Sequence, residues 1–282
     1  MSYRVGIDIG GTFTDMVFLT ANGEALTLKV PSTPDDYSRG IAEGLTAVFG
    51  GGAISAPVIA EVIHGTTIAT NAILERQGVK TGLITTHGFR DVLEIRRLRM
   101  PTLYDLTWQK PEPLASRANR VEVVGRIDHK GGILTPLDEV SAGAAIEKLL
   151  ANGVEAVAVS LINAYANGAH ERRIGELIAE RAPDMPVCLS SQILPEIKEY
   201  ERTSTAVVNA YILPVVARYL TALSASLRRL DITAPLLVMQ SSGGAMGVEA
   251  ACQRPIHIIE SGPAAGVVGG AEVAAKLGFE NV

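Results

Sequence analysis

Cysteine is nearly absent. Cys188 and Cys252 are the only two in 282 residues, too few for a disulfide framework and too far apart for a metal knuckle, which fits a reducing cytosol. A large excess of one charge is missing as well: the net charge is -5 and no long basic run occurs, which speaks against nucleic acid or an anionic membrane as the main partner. Long apolar runs are also lacking. The best, around residues 206–217, is interrupted by Asn209 and Pro214, so no segment is expected to span a bilayer. The N-terminus passes straight into a strand pattern, with no signal peptide expected before it. No P-loop, G-x-S-x-G elbow or H-E-x-x-H motif is found. What is present is a chain 47% hydrophobic, enough for a sizeable core. It is expected to be cytoplasmic and to form one large or two ordinary domains.

The stretch Tyr3 to Asp15, Y-R-V-G-I-D-I-G-G-T-F-T-D, organises the rest. Val5, Ile7 and Ile9 alternate with small or polar residues, the pattern of a half-buried strand. Gly10 and Gly11 free the backbone to turn and let a ligand approach. Met16 to Leu19 read as the returning strand. Exposed amides at such a turn, with the hydroxyls of Thr12 and Thr14, suit phosphate oxygens. Asp8, at the end of the first strand, suits a divalent cation held through water. The alternative is an ordinary hairpin with a Gly-Gly turn.

Further on, Glu24–Val30 reads as a third antiparallel strand after the Asn22-Gly23 turn. Pro34-Asp35-Asp36 reads as a helix start, and Gly50-Gly51-Gly52 as its end. Val58 to Ile63 is a strand leading into His64-Gly65-Thr66-Thr67 and a helix to about Arg76; Lys80 to Thr85 is the next strand. This pattern predicts an α/β layered sheet. Periodicity fails over residues 88–135, read as an insertion with a functional or contact role. It resumes with helices at 137–151 and 168–181 and strands at 154–161 and 187–190. The first domain is expected to end near residues 186–195. A long helical region from Glu196 to Leu230 carries Pro214 inside it. A buried strand at 236–239 follows, and then Glu260-Ser261-Gly262-Pro263, with Pro263 at a first helical position.

Five blocks in this order carry a family resemblance: G-I-D-I-G-G-T-F-T-D, H-G-T-T-I-A-T-N-A-I-L-E-R-Q-G (His64 to Gly78), G-L-I-T-T-H-G-F-R-D (Gly82 to Asp91), Y-E-R-T-S-T-A-V-V-N-A-Y (Tyr200 to Tyr211) and E-S-G-P-A-A-G-V-V-G (Glu260 to Gly269). The sequence resembles the hydantoinase A / 5-oxoprolinase / acetone carboxylase β-subunit family. The resemblance implies an actin-like, ribonuclease-H-like ATPase fold. The expected organisation is a first lobe over residues 1–190, with the insertion near 88–135, and the incomplete start of a second lobe over 191–282. It also implies ATP, Mg²⁺ or Mn²⁺, a small carbonyl substrate, and a second subunit of the hydantoinase B type. The activity implied is ATP-dependent hydrolysis of a cyclic amide or imide of the hydantoin or 5-oxoproline type through phosphorylation of its carbonyl oxygen. Alternatives are a ketone carboxylase subunit, a non-enzymatic actin-like scaffold, and a kinase of the sugar-kinase type. A second glycine-rich hairpin, resembling Asp-Met-Gly-Gly-Thr in the family, does not occur in these residues, so a portion of a longer protein is expected.

The candidate site follows from the motifs and the resemblance together. Gly10, Gly11, Thr12 and Thr14 form the phosphate cradle, and Asp8 the cation-side and catalytic carboxylate. His64 is expected to face the substrate side as a second catalytic group. Thr66 and Thr67 open a helix, where the dipole favours an anion, although either could be a helix cap. Arg90 and Arg96 are substrate candidates because guanidinium forks hold carbonyl or carboxylate oxygens; with Arg97 and Arg99 they could equally form a charged surface. Tyr200-Glu201-Arg202 reads as an ion cluster between lobes. Gly262, Ala264, Ala265 and Gly266 would let backbone approach a nucleotide, against a plainer reading as a helix-packing face.

Overall fold

The structure, a computed structural model, describes residues 2–33, 36–52, 54–97, 101–102 and 104–282. The chain begins with β1 (Tyr3–Ile9), β2 (Phe13–Thr20), β3 (Ala25–Pro31), α1 (Tyr37–Gly50), β4 (Ile59–Thr66) and α2 (Ile68–Leu74). Its middle holds β5 (Thr81–Thr86), α3 (Val92–Ile95), β6 (Arg120–Val123), β7 (Arg126–Ile127), β8 (Ile133–Thr135), α4 (Glu139–Ala151), β9 (Ala156–Ser160), α5 (Ala169–Arg181), β10 (Val187–Leu189) and α6 (Ser190–Ile193). The long α7 (Glu199–Arg229) leads to β11 (Leu236–Met239), β12 (Ala245–Gly247), α8 (Val248–Gln253) and α9 (Ser261–Leu277). These elements form two compact units, one of residues 1–77 with 215–282 and the other of residues 78–214.

The first unit is built on a sheet of order β12-β11-β4-β1-β2-β3. β1 takes the expected alternation: Val5, Ile7 and Ile9 are buried while Arg4, Gly6 and Asp8 are exposed. β1, β2 and β3 pair antiparallel, whereas β4 lies parallel to β1 and β11 parallel to β4. Parallel pairing needs a crossover between strands, and α1 supplies the one from β3 to β4. It buries Ile41, Leu45 and Val48, and Gly44 faces Met16 so closely that a Cβ there would lie 2.7 Å from the Met16 Cε. Asp36 caps α1 by accepting from the Ser38 amide at 3.0 Å; Pro34 and Asp35, the rest of the expected helix start, lie outside the described residues. Three antiparallel strands followed by parallel ones make the ribonuclease-H-like sheet of the actin-like fold.

The expected boundary near residues 186–195 does not separate the strands of the first sheet. Leu236, Leu237 and Val238 pair with Val62, Ile63 and His64, so β11 extends the sheet of β1 rather than opening another. β4 would otherwise be an edge with unpaired backbone groups, and the chain returns after residue 214 to fill it.

The second unit has a parallel sheet of order β10-β9-β5-β6. All residues of β9 and β5 are buried, the continuous apolar character of strands covered on both faces. Ile146 and Leu149 of α4 and Ile174, Leu177 and Ile178 of α5 pack into this core with Ile84, Val157 and Val159. Residues 88–135, expected to be irregular, contain α3 and a two-stranded ribbon, and contribute β6 as a parallel neighbour of β5.

α7 runs unbroken through Pro214. By length and composition alone it could cross a bilayer, contrary to the sequence expectation, but more than half of its most apolar window is buried inside the protein. Asn209, in the same helix, is fully buried.

Candidate functional site

The β1–β2 hairpin closes with the Gly10 amide donating to the Phe13 carbonyl at 2.9 Å. Neither Gly10 nor Gly11 takes a positive φ, so the glycines are not there for a left-handed turn. Their use is spatial. A Cβ on Gly11 would meet nothing within 4 Å, and one on Gly10 would come within 3.2 Å of the Phe13 carbonyl oxygen. Among the described residues, the amides of Gly11 and Thr12 donate to no group, and the exposed Thr12 hydroxyl has no partner. Free donors around open space are what a phosphate oxygen requires.

Thr14 does something else. Its side chain is buried, and its hydroxyl lies 3.1 Å from that of Ser32, which donates to the Gly10 carbonyl at 2.8 Å. The Ser32 amide also donates to the Thr12 carbonyl at 2.9 Å. Thr14 and Ser32 therefore buttress the turn from behind, which corrects the expectation that Thr14 lines the cradle. Alternation places Thr14 on the inner face of β2, the signal by which this could have been foreseen.

Asp8 pairs in register with Asp15 on one side and Gly65 on the other. Asp15 is neutralised by Lys29 at 2.7 Å, whereas no donor among the described residues reaches the Asp8 carboxylate. Although Asp8 is exposed, the protein around its carboxyl raises its pKa above the ordinary aspartate value, and the Asp15 carboxylate adds to the shift. A cation beside Asp8 would reverse that shift by favouring the charged form. Gly65 keeps the approach clear, since a Cβ there would stand 3.1 Å from the Asp8 Oδ1. An unpartnered carboxylate of raised pKa next to free amides fits a divalent cation bound with phosphate.

His64 does not face a substrate. It is fully buried, with Nδ1 3.2 Å from the Ile7 carbonyl and Nε2 2.7 Å from the Tyr219 hydroxyl. A carbonyl only accepts, so Nδ1 carries the proton and Nε2 accepts from Tyr219. Burial pushes the imidazole pKa down to about 4, and the group is neutral near pH 7. The catalytic expectation for His64 is thereby corrected: it is a structural joint between β1, β4 and α7, because the inner face of β4 is a dry core position.

Thr66 is also buried: its hydroxyl accepts from the Ile68 amide at 3.3 Å and hydrogen-bonds the Tyr219 side chain, so it faces the core rather than an anion. The Thr67 hydroxyl reaches the Ile9 carbonyl at 3.4 Å and so sits beside the hairpin. Ser261, the first residue of α9, is buried and donates to the Thr66 carbonyl at 3.0 Å. The hairpin end, the β4–α2 turn and the start of α9 thus converge. α9 begins two residues before Pro263, so the proline sits in the first turn rather than at its first position. Ala264 and Ala265 are half-buried, and a Cβ on Gly262 or Gly266 would meet nothing within 4 Å. A side chain at either glycine would thus project into open space.

A cleft of about 810 Å³ in the same unit has Gly11 in its wall, with Asn71 from α2 and Glu75 just after it, Tyr37 from α1, and Arg218 and Tyr219 from α7. Its volume is that of a small-molecule site. Arg90 and Arg96 belong to the other unit, and Arg99 lies outside the described residues. The expected ion cluster also divides within that second unit: Glu201 pairs with Arg97 at 2.8 Å, while Arg202 is fully buried near Glu171.

Residues 4–182 match the hydantoinase/oxoprolinase N-terminal region and residues 202–282 match hydantoinase/oxoprolinase. The chain is 39% identical over 286 residues to caprolactamase subunit alpha of Pseudomonas jessenii, covering 99% of this chain and 41% of that protein. The crystal structure of the ATP-dependent caprolactamase from the same organism superposes with a TM-score of 0.88 at 38% identity, covering 99% of this chain and 41% of that one. A nucleotide-free structure of acetone carboxylase superposes at 0.91 with 27% identity, covering 99% and 42%. The chain spans about two-fifths of the length of the caprolactamase and acetophenone carboxylase subunits it matches, and about a quarter of the 5-oxoprolinase of Saccharomyces cerevisiae. With both of its segments matched in order, the chain belongs to the hydantoinase/oxoprolinase family.

Proposed function

We propose that this chain supplies the phosphate-gripping lobe of an ATP-dependent enzyme that opens a cyclic amide or imide. The observation that carries the reading is the β1–β2 hairpin, where the amides of Gly11 and Thr12, the Thr12 hydroxyl and the Asp8 carboxylate beside the turn have no partner among the described residues. Gly11, Thr12 and the exposed edge of Gly10 would hold phosphate oxygens of ATP, and Asp8 would hold Mg²⁺ or Mn²⁺ through water. Gly262, Ala264, Ala265 and Gly266 lie on the helix that Ser261 fixes to the neighbouring turn, and would let the nucleotide approach backbone. Thr67, whose hydroxyl reaches the Ile9 carbonyl beside the hairpin, is assigned to the substrate side. His64 and Thr66 have supporting roles only.

The chemistry asked of such a site is mostly positioning and charge neutralisation. The amide carbonyl oxygen attacks the terminal phosphorus and ADP leaves. Water then adds at the phosphorylated carbon, and the adduct expels the ring nitrogen as an amine that takes up the hydroxyl proton, which opens the C–N bond and leaves an acyl phosphate. A second water releases phosphate and leaves the carboxylate. The cleft beside Gly11 has the volume for the ring, with Asn71 able to hydrogen-bond an amide. The water-adding half is assigned to a second subunit of the hydantoinase B type, in keeping with the caprolactamase relative being named as one subunit. A second reading, ATP-dependent activation of a ketone for carboxylation, is favoured by the superposition on acetone carboxylase.

The test is ATP turnover by the complete assembly with caprolactam, hydantoin, 5-oxoproline, acetone and acetophenone. Thr12→Ala and Asp8→Asn should each lower turnover with the active compound by about tenfold or more while the unfolding midpoint holds. Turnover unchanged in both variants would sink the cradle assignment.

A further inference from the structure

The second unit contains a pocket that the ATP-dependent reading does not use. It measures about 140 Å³ and is walled by Leu93, Leu114, Val207, Val208 and two prolines, Pro111 and Pro113. Its polar groups are Arg96, Tyr200, Ser204 and the exposed Glu112. Arg96 donates from Nε to the Tyr200 hydroxyl at 3.2 Å, but its Nη1 is buried with no partner. Having accepted from Arg96, the phenol keeps its own proton to donate.

Two costs coincide at this residue. A buried guanidinium nitrogen without an acceptor forfeits its hydration. Arg96 also holds a φ of 58°, a backbone state disfavoured for any side chain bearing a Cβ. No carboxylate among the described residues pairs with it, whereas neighbouring Arg97 is paired to Glu201 at 2.8 Å. Strain, an orphaned cationic donor and an apolar cavity in one place mark a binding site.

We propose that this pocket binds a compact organic monocarboxylate, its oxygens on Arg96 Nη1 and Tyr200 and its hydrocarbon body against the leucine, valine and proline walls. A cavity of about 150 Å³ accommodates a benzene ring, which limits the ligand to a short branched or single-ring acid. The anion is selected because the donors facing it are a guanidinium and a phenol, and because a neutral carbonyl leaves the buried cationic charge uncompensated.

The probe is isobutyrate, with isobutyramide as its neutral isostere, titrated into the full-length protein and read by ligand-observed NMR and by thermal shift. Isobutyrate should bind saturably and about tenfold more tightly than isobutyramide. Arg96→Gly removes the guanidinium and relaxes the backbone, so the fold should hold while isobutyrate binding weakens about tenfold or more. Val207→Phe fills the wall and should abolish binding of both compounds. Equal affinity for acid and amide, unchanged binding in Arg96→Gly, or the absence of saturable isobutyrate binding each overturns the proposal.

Discussion

Ser261 and Thr66 stand 195 residues apart and hold each other from both sides: the Ser261 hydroxyl donates to the Thr66 carbonyl at 3.0 Å, and the Thr66 amide reaches back to the same oxygen at 3.4 Å. Both residues are buried. The link anchors α9 to the end of β4, next to the hairpin that carries Asp8. It explains why the E-S-G-P block belongs with the N-terminal motifs although most of the chain separates them.

Replacing Ser261 by alanine should therefore cost stability directly. The change strands a buried carbonyl and a buried amide at the β4–α2 turn, which costs about 1–3 kcal/mol. Urea unfolding of the variant should show a lower midpoint with an unchanged slope. A midpoint equal to that of the parent would mean that Thr66 finds other partners and that the link is dispensable.

His64 makes stability depend on pH in a defined window. Its folded pKa is depressed to about 4 from 6.5, so the unfolded chain binds the proton more readily than the folded one. The neutral-imidazole contribution is complete above pH 6.5 and is lost as pH falls toward 4. Between pH 7.5 and 4.5 this single group should cost about 2 kcal/mol. Carboxylates titrate in the same range, so the measurement is the difference between the parent and His64→Gln, followed by urea unfolding at both pH values. The parent should lose more stability on acidification than the variant; parallel losses would contradict the buried neutral assignment. For the same reason, this histidine should contribute no ionisation near pH 6.5 to the rate profile of the assembled enzyme.

How far the sequence reaches is visible residue by residue. The alternation of Val5, Ile7 and Ile9 and the open Gly10-Gly11 turn fix the hairpin, because period-two burial and missing Cβ atoms are local properties. His64 and Thr66 look like site residues in sequence, yet both point into the core. Whether a polar residue at a strand end faces solvent depends on what later covers it, here Tyr219 and Ser261, which are remote in sequence. The placement of β11 beside β4 is invisible for the same reason: Leu236–Met239 reads equally well as a strand of either unit. Ser32 escapes notice because its role exists only once β3 lies beside the turn.

Gly78 illustrates a constraint that sequence presents only as a helix terminator. A Cβ on it would fall 2.2, 2.3 and 2.5 Å from three ring atoms of Tyr211, itself buried, and the adjacent Val79 amide donates to the Tyr211 carbonyl at 3.1 Å. Gly78→Ala should destabilise by about 1–3 kcal/mol through overpacking. In the background Tyr211→Ala the same substitution should cost far less, since the ring it strikes is gone. Additive effects in the double variant would show that the clash is relieved by backbone movement instead.

The strongest stability effect is expected at Glu171, the acid of a buried ion pair. Glu171 and Arg202 are both fully buried and their charged atoms stand 3.8 Å apart. Glu171 also accepts from the Leu161 amide at 2.9 Å, the Ser190 hydroxyl at 2.6 Å and the Ser191 amide at 2.8 Å. Arg202 donates from Nη1 to the Leu161 carbonyl at 2.7 Å and to Ser190 at 2.8 Å, while its Nε and Nη2 have no partner. Two of the three guanidinium nitrogens are thus unsatisfied already, and the carboxylate is what makes its burial tolerable. Glu171→Gln keeps the shape but leaves the cation alone, at a cost of about 3–5 kcal/mol. Arg202→Met leaves the acid buried with its three donors and should cost less. The double variant, carrying no buried charge, should recover a large part of the loss, because a neutral core of similar volume avoids the desolvation of both ions. Chemical denaturation of the four proteins measures this coupling. A double variant as unstable as the sum of the single ones would show that the pair stabilises through its geometry and not through mutual neutralisation.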